Sequence, residues 1–152
     1  MTDIRQDIVD KAVAEFGADD ASPEAIHAAD VDVFAPCALG AGLHDGTIPE
    51  IKARVICGLA NNQLAEVHHG KMLADKGIAY VPDYVVNAGG MMGASTAIFA
   101  ELSRERSLKQ IEGLDETITT ILERAKSEGL PSADIADQIA EERINAKRNA
   151  VR

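Results

Sequence analysis

The sequence predicts an α/β fold built on a parallel sheet. Three observations carry this: short runs of β-forming residues at 31–36, 54–58 and 78–82, helical segments between them, and a last third that reads as amphipathic helix. Strands that are short, apolar and separated by helices pair in parallel through right-handed crossovers.

The elements follow in order along the chain. Residues 2–16 place Ile4, Ile8, Ala12 and Phe16 four apart, the spacing of one helix face, and Gly17 stands where a helix stops. Ser22-Pro23-Glu24 opens a short helix to about Ala29: a hydroxyl cap, a proline at the first helical position and an acid at the positive dipole end. The first strand, 31–36, ends in Cys37-Ala38-Leu39-Gly40, and 48–53 is briefly helical. The second strand, 54–58, ends in Ala60-Asn61-Asn62-Gln63, and a helix from about Glu66 to Lys76 stops at Gly77. The third strand, 78–82, leads to Asn87-Ala88-Gly89-Gly90. From about Met92 the chain reads as helix, broken near 103–107 and at 129–132; the C-terminal helices run from about 104, the last from Ser132 to about Asn149.

Bulk properties narrow the function. A length of 152 residues suits a single domain over 1–152, and 46% apolar against 26% charged residues marks a globular chain rather than a disordered one. The formal charge of −10 argues against nucleic acid as a partner, and the absence of Trp argues against a base-stacking platform. No run reaches the roughly 20 apolar residues of a membrane span, and the N-terminus lacks a signal-peptide pattern. Cys37 and Cys57 lie in apolar runs with no paired spacing, so they read as buried reduced thiols of a cytoplasmic protein.

In open α/β sheets ligands bind beyond the carboxyl ends of the strands. All three strands end there in small residues, which admit a flat ligand to the backbone, and in amides, which both donate and accept. A glycine or asparagine at a single strand end is ordinarily a turn former. Three such ends on one predicted edge instead suggest a neutral, hydrogen-bonding nucleotide site. His68-His69 are adjacent on a helix and point apart, with no carboxylate at ligand spacing, so no metal is expected. His27 and His44 read as surface or loop residues, Cys37 has no base placed to activate it, and Glu141-Glu142-Arg143 reads as a solvated helix face with local ion pairs.

The same three loops carry a family resemblance. Residues 33–40 (Val-Phe-Ala-Pro-Cys-Ala-Leu-Gly), 60–64 (Ala-Asn-Asn-Gln-Leu) and 82–90 (Pro-Asp-Tyr-Val-Val-Asn-Ala-Gly-Gly) resemble the NAD-binding domain of the glutamate/leucine/phenylalanine/valine dehydrogenases, the leucine enzymes above all. Thr47-Ile48-Pro49, His69-Gly70 and 140–144 fit the same pattern in order, so the resemblance runs from about Thr2 to about Lys147. It implies NAD as cofactor and oxidative deamination of an aliphatic L-amino acid to its 2-oxo acid. By position, Asp3 matches the acid on the adenosine ribose, Cys37 and Ala38 the loop along the cofactor, Ala60 and Asn61 the nicotinamide ribose contacts, and Asn87 the amide near nicotinamide and substrate. Met91 and Ala94 match the side-chain pocket.

Two departures from the family shape the expectation. Upstream of Asp3 the sequence has no GxGxxG turn, no first Rossmann strand, and none of the family's catalytic lysines or aspartate. The resemblance therefore implies an incomplete Rossmann-type sheet, weak or lost NAD binding, and a chain inactive alone. It also implies an exposed strand edge at 31–36, with either association through that edge or a loosely held N-terminal segment, and a homo-oligomer or a missing N-terminal half as partner. Residues 93–103 are more apolar than the family's equivalent stretch. Two further possibilities stand beside the dehydrogenase fragment: a non-catalytic homologue acting in oligomerisation or interaction, and a free-standing nucleotide-binding module.

Overall fold

The computed structural model describes residues 1–98 and 103–150. Among them lie three strands, β1 (Val33–Phe34), β2 (Val55–Ile56) and β3 (Ala79–Tyr80), paired in parallel in the order β1-β2-β3. The register sets Val33 beside Val55 and Val55 beside Ala79, with Phe34, Ile56 and Tyr80 alternating to the other face. That second face is the core side. Ile56 and Tyr80 are buried there with Leu43, Ile48, Ile51, Ala53 and Ile78, and helix α2 (His68–Asp75) lays Leu73 against them. The opposite face is open at its edge, where Val33 is 53% exposed. The parallel arrangement expected from the sequence is present, and β1 is an edge strand carrying exposed Val31 and Val33. The strands are shorter than the β-forming runs that announced them, because the flanking residues turn into loops that hydrogen-bond to one another instead of extending the ladder.

Helix α1 (Gln6–Phe16) ends at Gly17 as expected, with Gly17 left-handed at φ 65° and its N–H on the Val13 carbonyl. Its apolar stripe is not where the spacing put it. Val9 is the buried residue, while Ile4 is 98% and Phe16 76% exposed. A four-residue spacing defines a face but does not say that anything covers it.

The Ser22 opening forms only a turn. Ser22 Oγ accepts from Ala25 N at 3.3 Å, followed by one 3-10 turn at Ile26–Ala28 in place of the expected helix. The segment near 48 is likewise a 3-10 turn, Ile48–Glu50.

Beyond β3 the described residues form helices: α3 (Asp83–Val86), α4 (Gly89–Ile98), α5 (Arg104–Glu112), α6 (Leu114–Glu128) and α7 (Ser132–Ala150). The stretch expected to be more apolar than the family's therefore begins on α4, while Phe99 and Ala100 within it lie outside the described residues. Ser103 caps α5 by accepting from Arg106 N at 3.2 Å. Gly129 ends α6 at φ 67°, a conformation that costs a residue with a side chain ~1–2 kcal/mol. The chain then reverses, and α6 and α7 pack through Ile121, Ile135 and Ala136.

Arg124 on α6 bonds Glu128 on its own helix and Glu142 on α7. The Glu141–Arg143 face is thus tied across helices rather than only locally. Among the described residues no helix is long and apolar enough to cross a membrane.

Candidate functional site

The three strand-end loops meet at one edge of the sheet. The first two are joined through their backbones. Ala60 N donates to Pro36 O at 3.0 Å, Ala41 N to Asn62 O at 2.6 Å, and Leu43 N to Gln63 O at 3.0 Å. Gly58 allows this approach, since a Cβ there would stand 2.2 Å from Pro36 O. The second loop meets the third through side chains. Asn87 Nδ2 donates to Asn61 Oδ1 at 2.5 Å, and Asp83 Oδ2 accepts from Gln63 N at 2.7 Å.

The third strand-end loop is largely helical. Pro82 and Asp83 start α3, and Asn87 closes that helix by donating its N–H to the Asp83 carbonyl at 2.9 Å. Asn87 is therefore held on a helical end.

The individual residues fall out as follows. Ala60 is buried under its loop at 5% exposure, Asn61 is exposed and Asn87 half-buried. Cys37 and Ala38 are exposed on the first loop. Exposure of Cys37 corrects the expectation of a buried thiol: the chain leaves β1 at Phe34 and turns outward, so the apolar run continues into solvent. Cys57 is half-buried, and both thiols are free. Met91, 74% exposed, and Ala94 stand on α4 just beyond Asn87.

Asp3 stands apart. It is exposed, and its Oδ1 accepts from Arg5 N at 2.9 Å within its own segment. That segment is tied back by Ala21 N donating to Met1 O at 3.0 Å, with no hydrogen bond from Asp3 to the three loops among the described residues.

Chemically the edge offers a donor and an acceptor side by side. The bond between the two asparagines uses Asn87 Nδ2 and Asn61 Oδ1, which turns Asn61 Nδ2 and Asn87 Oδ1 to other partners. Among the described residues no lysine or histidine hydrogen-bonds to this pair. The amide pair itself is neutral, suited to binding and orienting rather than to proton transfer.

Two buried residues beneath it were not singled out by sequence. Gln63, 1% exposed, donates from Nε2 to Gly58 O at 2.7 Å and Ala60 O at 2.9 Å. Asp83, 8% exposed, also accepts from the Tyr80 hydroxyl at 3.4 Å. Burial first, then the Asp83 charge, push the Tyr80 hydroxyl well above its ordinary range, so it stays a donor. The signal for Asp83 was its place after Pro82, where an acid opens a helix.

The histidine pair also needs correction. His69 is buried at 2% exposure, and Asp45 from a distant loop brings Oδ1 to 3.4 Å from both His68 Nε2 and His69 Nε2. The carboxylate that the sequence did not place near them is supplied by the fold. Glu66 N nevertheless donates to His69 Nδ1 at 2.8 Å. A neutral ring accepting at Nδ1 carries its proton on Nε2, which stands near Asp45 without hydrogen-bonding to it. That donor pattern suits a helix-start brace and opposes a cation.

Nearly the whole chain is similar to known proteins. Residues 3–151 match the signature of the glutamate/leucine/phenylalanine/valine dehydrogenases. A leucine dehydrogenase of Thermoactinomyces intermedius is 48% identical over 97% of this chain and 40% of its own length. The crystal structure of an L-tryptophan dehydrogenase from Nostoc punctiforme superposes with a TM-score of 0.87 at 42% identity, over 95% of this chain and 44% of that one. A hetero-hexameric glutamate dehydrogenase from Thermus thermophilus shares the fold, with a TM-score of 0.63 at 22% identity over 92% of this chain and 36% of that one. The chain spans about two-fifths of the length of the curated relatives it matches.

Proposed function

The chain belongs to the glutamate/leucine/phenylalanine/valine dehydrogenase family, and we propose that it is the NAD-binding portion of a leucine-dehydrogenase-like enzyme. Such an enzyme oxidatively deaminates an aliphatic L-amino acid to the 2-oxo acid and ammonia. The observation that carries this reading is the meeting of the three strand-end loops, closed by the Asn87–Asn61 hydrogen bond. An edge of small residues and paired amides at the carboxyl ends of parallel strands suits a dinucleotide.

In this reading the sheet is part of a Rossmann-type sheet. Cys37 and Ala38 run along the cofactor, Ala60 and Asn61 flank the nicotinamide ribose, and Asn87 orients the nicotinamide side of the site. NAD, when bound, supplies the hydride acceptor. Asp3 takes the adenosine ribose hydroxyls, and Met91 and Ala94 form the floor of an aliphatic side-chain pocket. Apolar residues and the absence of a charged group at those two positions support an aliphatic substrate. The chain alone is inactive in this proposal, because the amide pair is neutral and acid/base work on the amine falls to groups elsewhere. Its affinity for NAD is low, since the 152 residues contain no GxGxxG turn to cradle a pyrophosphate. Two free cysteines support a reducing, cytoplasmic setting.

A second reading, a non-catalytic interaction or oligomerisation protein, is favoured by one observation. Ile4 and Phe16 are solvent-exposed apolar residues, and β1 is an edge strand with exposed Val31 and Val33. Association through that edge, with a second copy or with the complementary part of a dehydrogenase, is compatible with both readings.

Nicotinamide fluorescence distinguishes them, and the lack of Trp keeps the signal clean. Titrating the chain into NADH is expected to give a saturable rise, weakened about tenfold in Asn61→Ala by loss of one polar contact. A flat response up to millimolar concentrations would contradict the cofactor reading and favour the second.

A further inference from the structure

We infer that Asp83 and Gln63 are positioning residues for the Asn61–Asn87 pair, a single buried brace that sets both amides at once. The inference deepens the cofactor reading above and rests on it for its consequence, though not for its geometry. Asp83 stands on the third loop, and its carboxylate reaches across to the second. Its backbone carbonyl receives Asn87 N at 2.9 Å, closing the single turn of α3 that ends at Asn87. Its carboxylate receives Gln63 N at 2.7 Å, two residues beyond Asn61.

Gln63 finishes the brace from below. Its Nε2 spans Gly58 O and Ala60 O, so the loop from 58 to 63 is closed on its own side chain, which is 1% exposed. Between these bonds Asn62 is left-handed at φ 54°, a conformation that tilts the peptide beside Asn61. A loop with such a residue is held by its tethers rather than by regular structure. Without the Asp83 carboxylate, Gln63 N becomes a buried donor without a partner, and the loop has reason to move away from α3. Neither Asp83 nor Gln63 is exposed enough to serve as a principal contact for a ligand; both act through Asn61 and Asn87.

The test is the side-chain amide signal of Asn87 in 15N–1H spectra of the full chain, identified by its change in Asn61→Ala. Asp83→Ala, which removes the acceptor of Gln63 N, is expected to shift that signal toward a free amide and to weaken NADH binding about tenfold. Ser132→Ala serves as the control. It deletes another buried hydrogen bond, from Ser132 Oγ to Tyr80 O at 2.6 Å, that touches neither asparagine, so it is expected to lower stability and leave the signal in place. Should Asp83→Ala fail to fold, Gln63→Met keeps the side-chain length, removes both donors and is expected to move the same signal.

An unchanged Asn87 signal in the Asp83 or Gln63 variant overturns the inference. So does an equal shift in Ser132→Ala, which would make the effect one of general stability. A wild-type chain that fails to bind NADH overturns the cofactor reading instead, while the Asn87 signal still decides the positioning.

Discussion

Asn87 donates its side-chain amide to the Asn61 carbonyl oxygen across 2.5 Å, joining two loops that lie 26 residues apart in the chain. The bond is possible because Asn61 sits beyond the end of β2 and Asn87 at the end of the turn that follows β3, neighbouring strands in one parallel sheet. Parallel strands bring successive carboxyl ends to the same edge, which is how residues far apart in sequence come to share a site.

Gly58→Ala is expected to damage this edge more than any exposed substitution. The added methyl would lie 2.2 Å from Pro36 O and 2.4 Å from Pro36 N, backbone atoms that cannot swing aside. The cost is on the order of 1–3 kcal/mol of overpacking. Urea unfolding should show a lower midpoint, accompanied by weaker NADH binding as the first two loops separate.

Ile135→Ala tests the helical half. Ile135 is fully buried against Ile121 and Ala136 where α7 packs on α6. Truncation is expected to cost roughly 2–5 kcal/mol through lost burial and the cavity left behind. Circular dichroism on heating should show a lower midpoint. An unchanged midpoint would mean that this pair of helices does not unfold with the rest of the chain.

Much of the architecture was legible in the sequence, and the reasons differ by element. Gly17 and Gly129 marked two helix ends because a left-handed residue is needed there, a local demand. The three β-forming runs and the residues that end them were readable for the same reason. What the sequence hid was tertiary. Nothing local says that Ile4 and Phe16 face solvent while Val9 packs, or that Asp45 comes to rest between two histidines. Nor does it say that a short apolar run leaves Cys37 exposed. The brace of Gln63 and Asp83 was hidden too, although both lay inside quoted loops, because the Asp83 carboxylate meets Gln63 N only on folding.

Tyr84→Phe probes the tie between the site edge and the last helix. The Tyr84 hydroxyl bonds Asp137 at 2.9 Å and the Ala133 carbonyl at 3.1 Å, from α3 to α7. Partial burial first, and Asp137 second, hold it protonated well above the ordinary tyrosine range. Removing the hydroxyl is expected to cost about 0.5–1.5 kcal/mol, readable as a shift of the urea midpoint with no change of slope.

Acid should weaken the fold in part through His27. Its ring packs at 5.2 Å from Phe34, and burial, then the His44 charge, lower its pKa below the ordinary 6.5. The folded state therefore favours the neutral ring. The stability that this contributes is complete above the unfolded pKa and is lost as pH falls through the depressed folded value. His27→Gln is expected to flatten the stability profile between pH 6.5 and the acid limb. Urea midpoints at a series of pH values check it, and a profile as steep in the variant as in the parent would assign the acid sensitivity elsewhere.

Three strand-end loops that act as one cofactor-facing edge respond to NAD together. The most direct measurement is a 15N–1H map of the chain during addition of NAD. Shifts are expected at Cys37 and Ala38, at Ala60 and Asn61, and at Asn87 and Met91, moving together along one binding curve, with α6 and α7 still. Shifts confined to the α6–α7 half, or none at saturating cofactor, would contradict the shared edge.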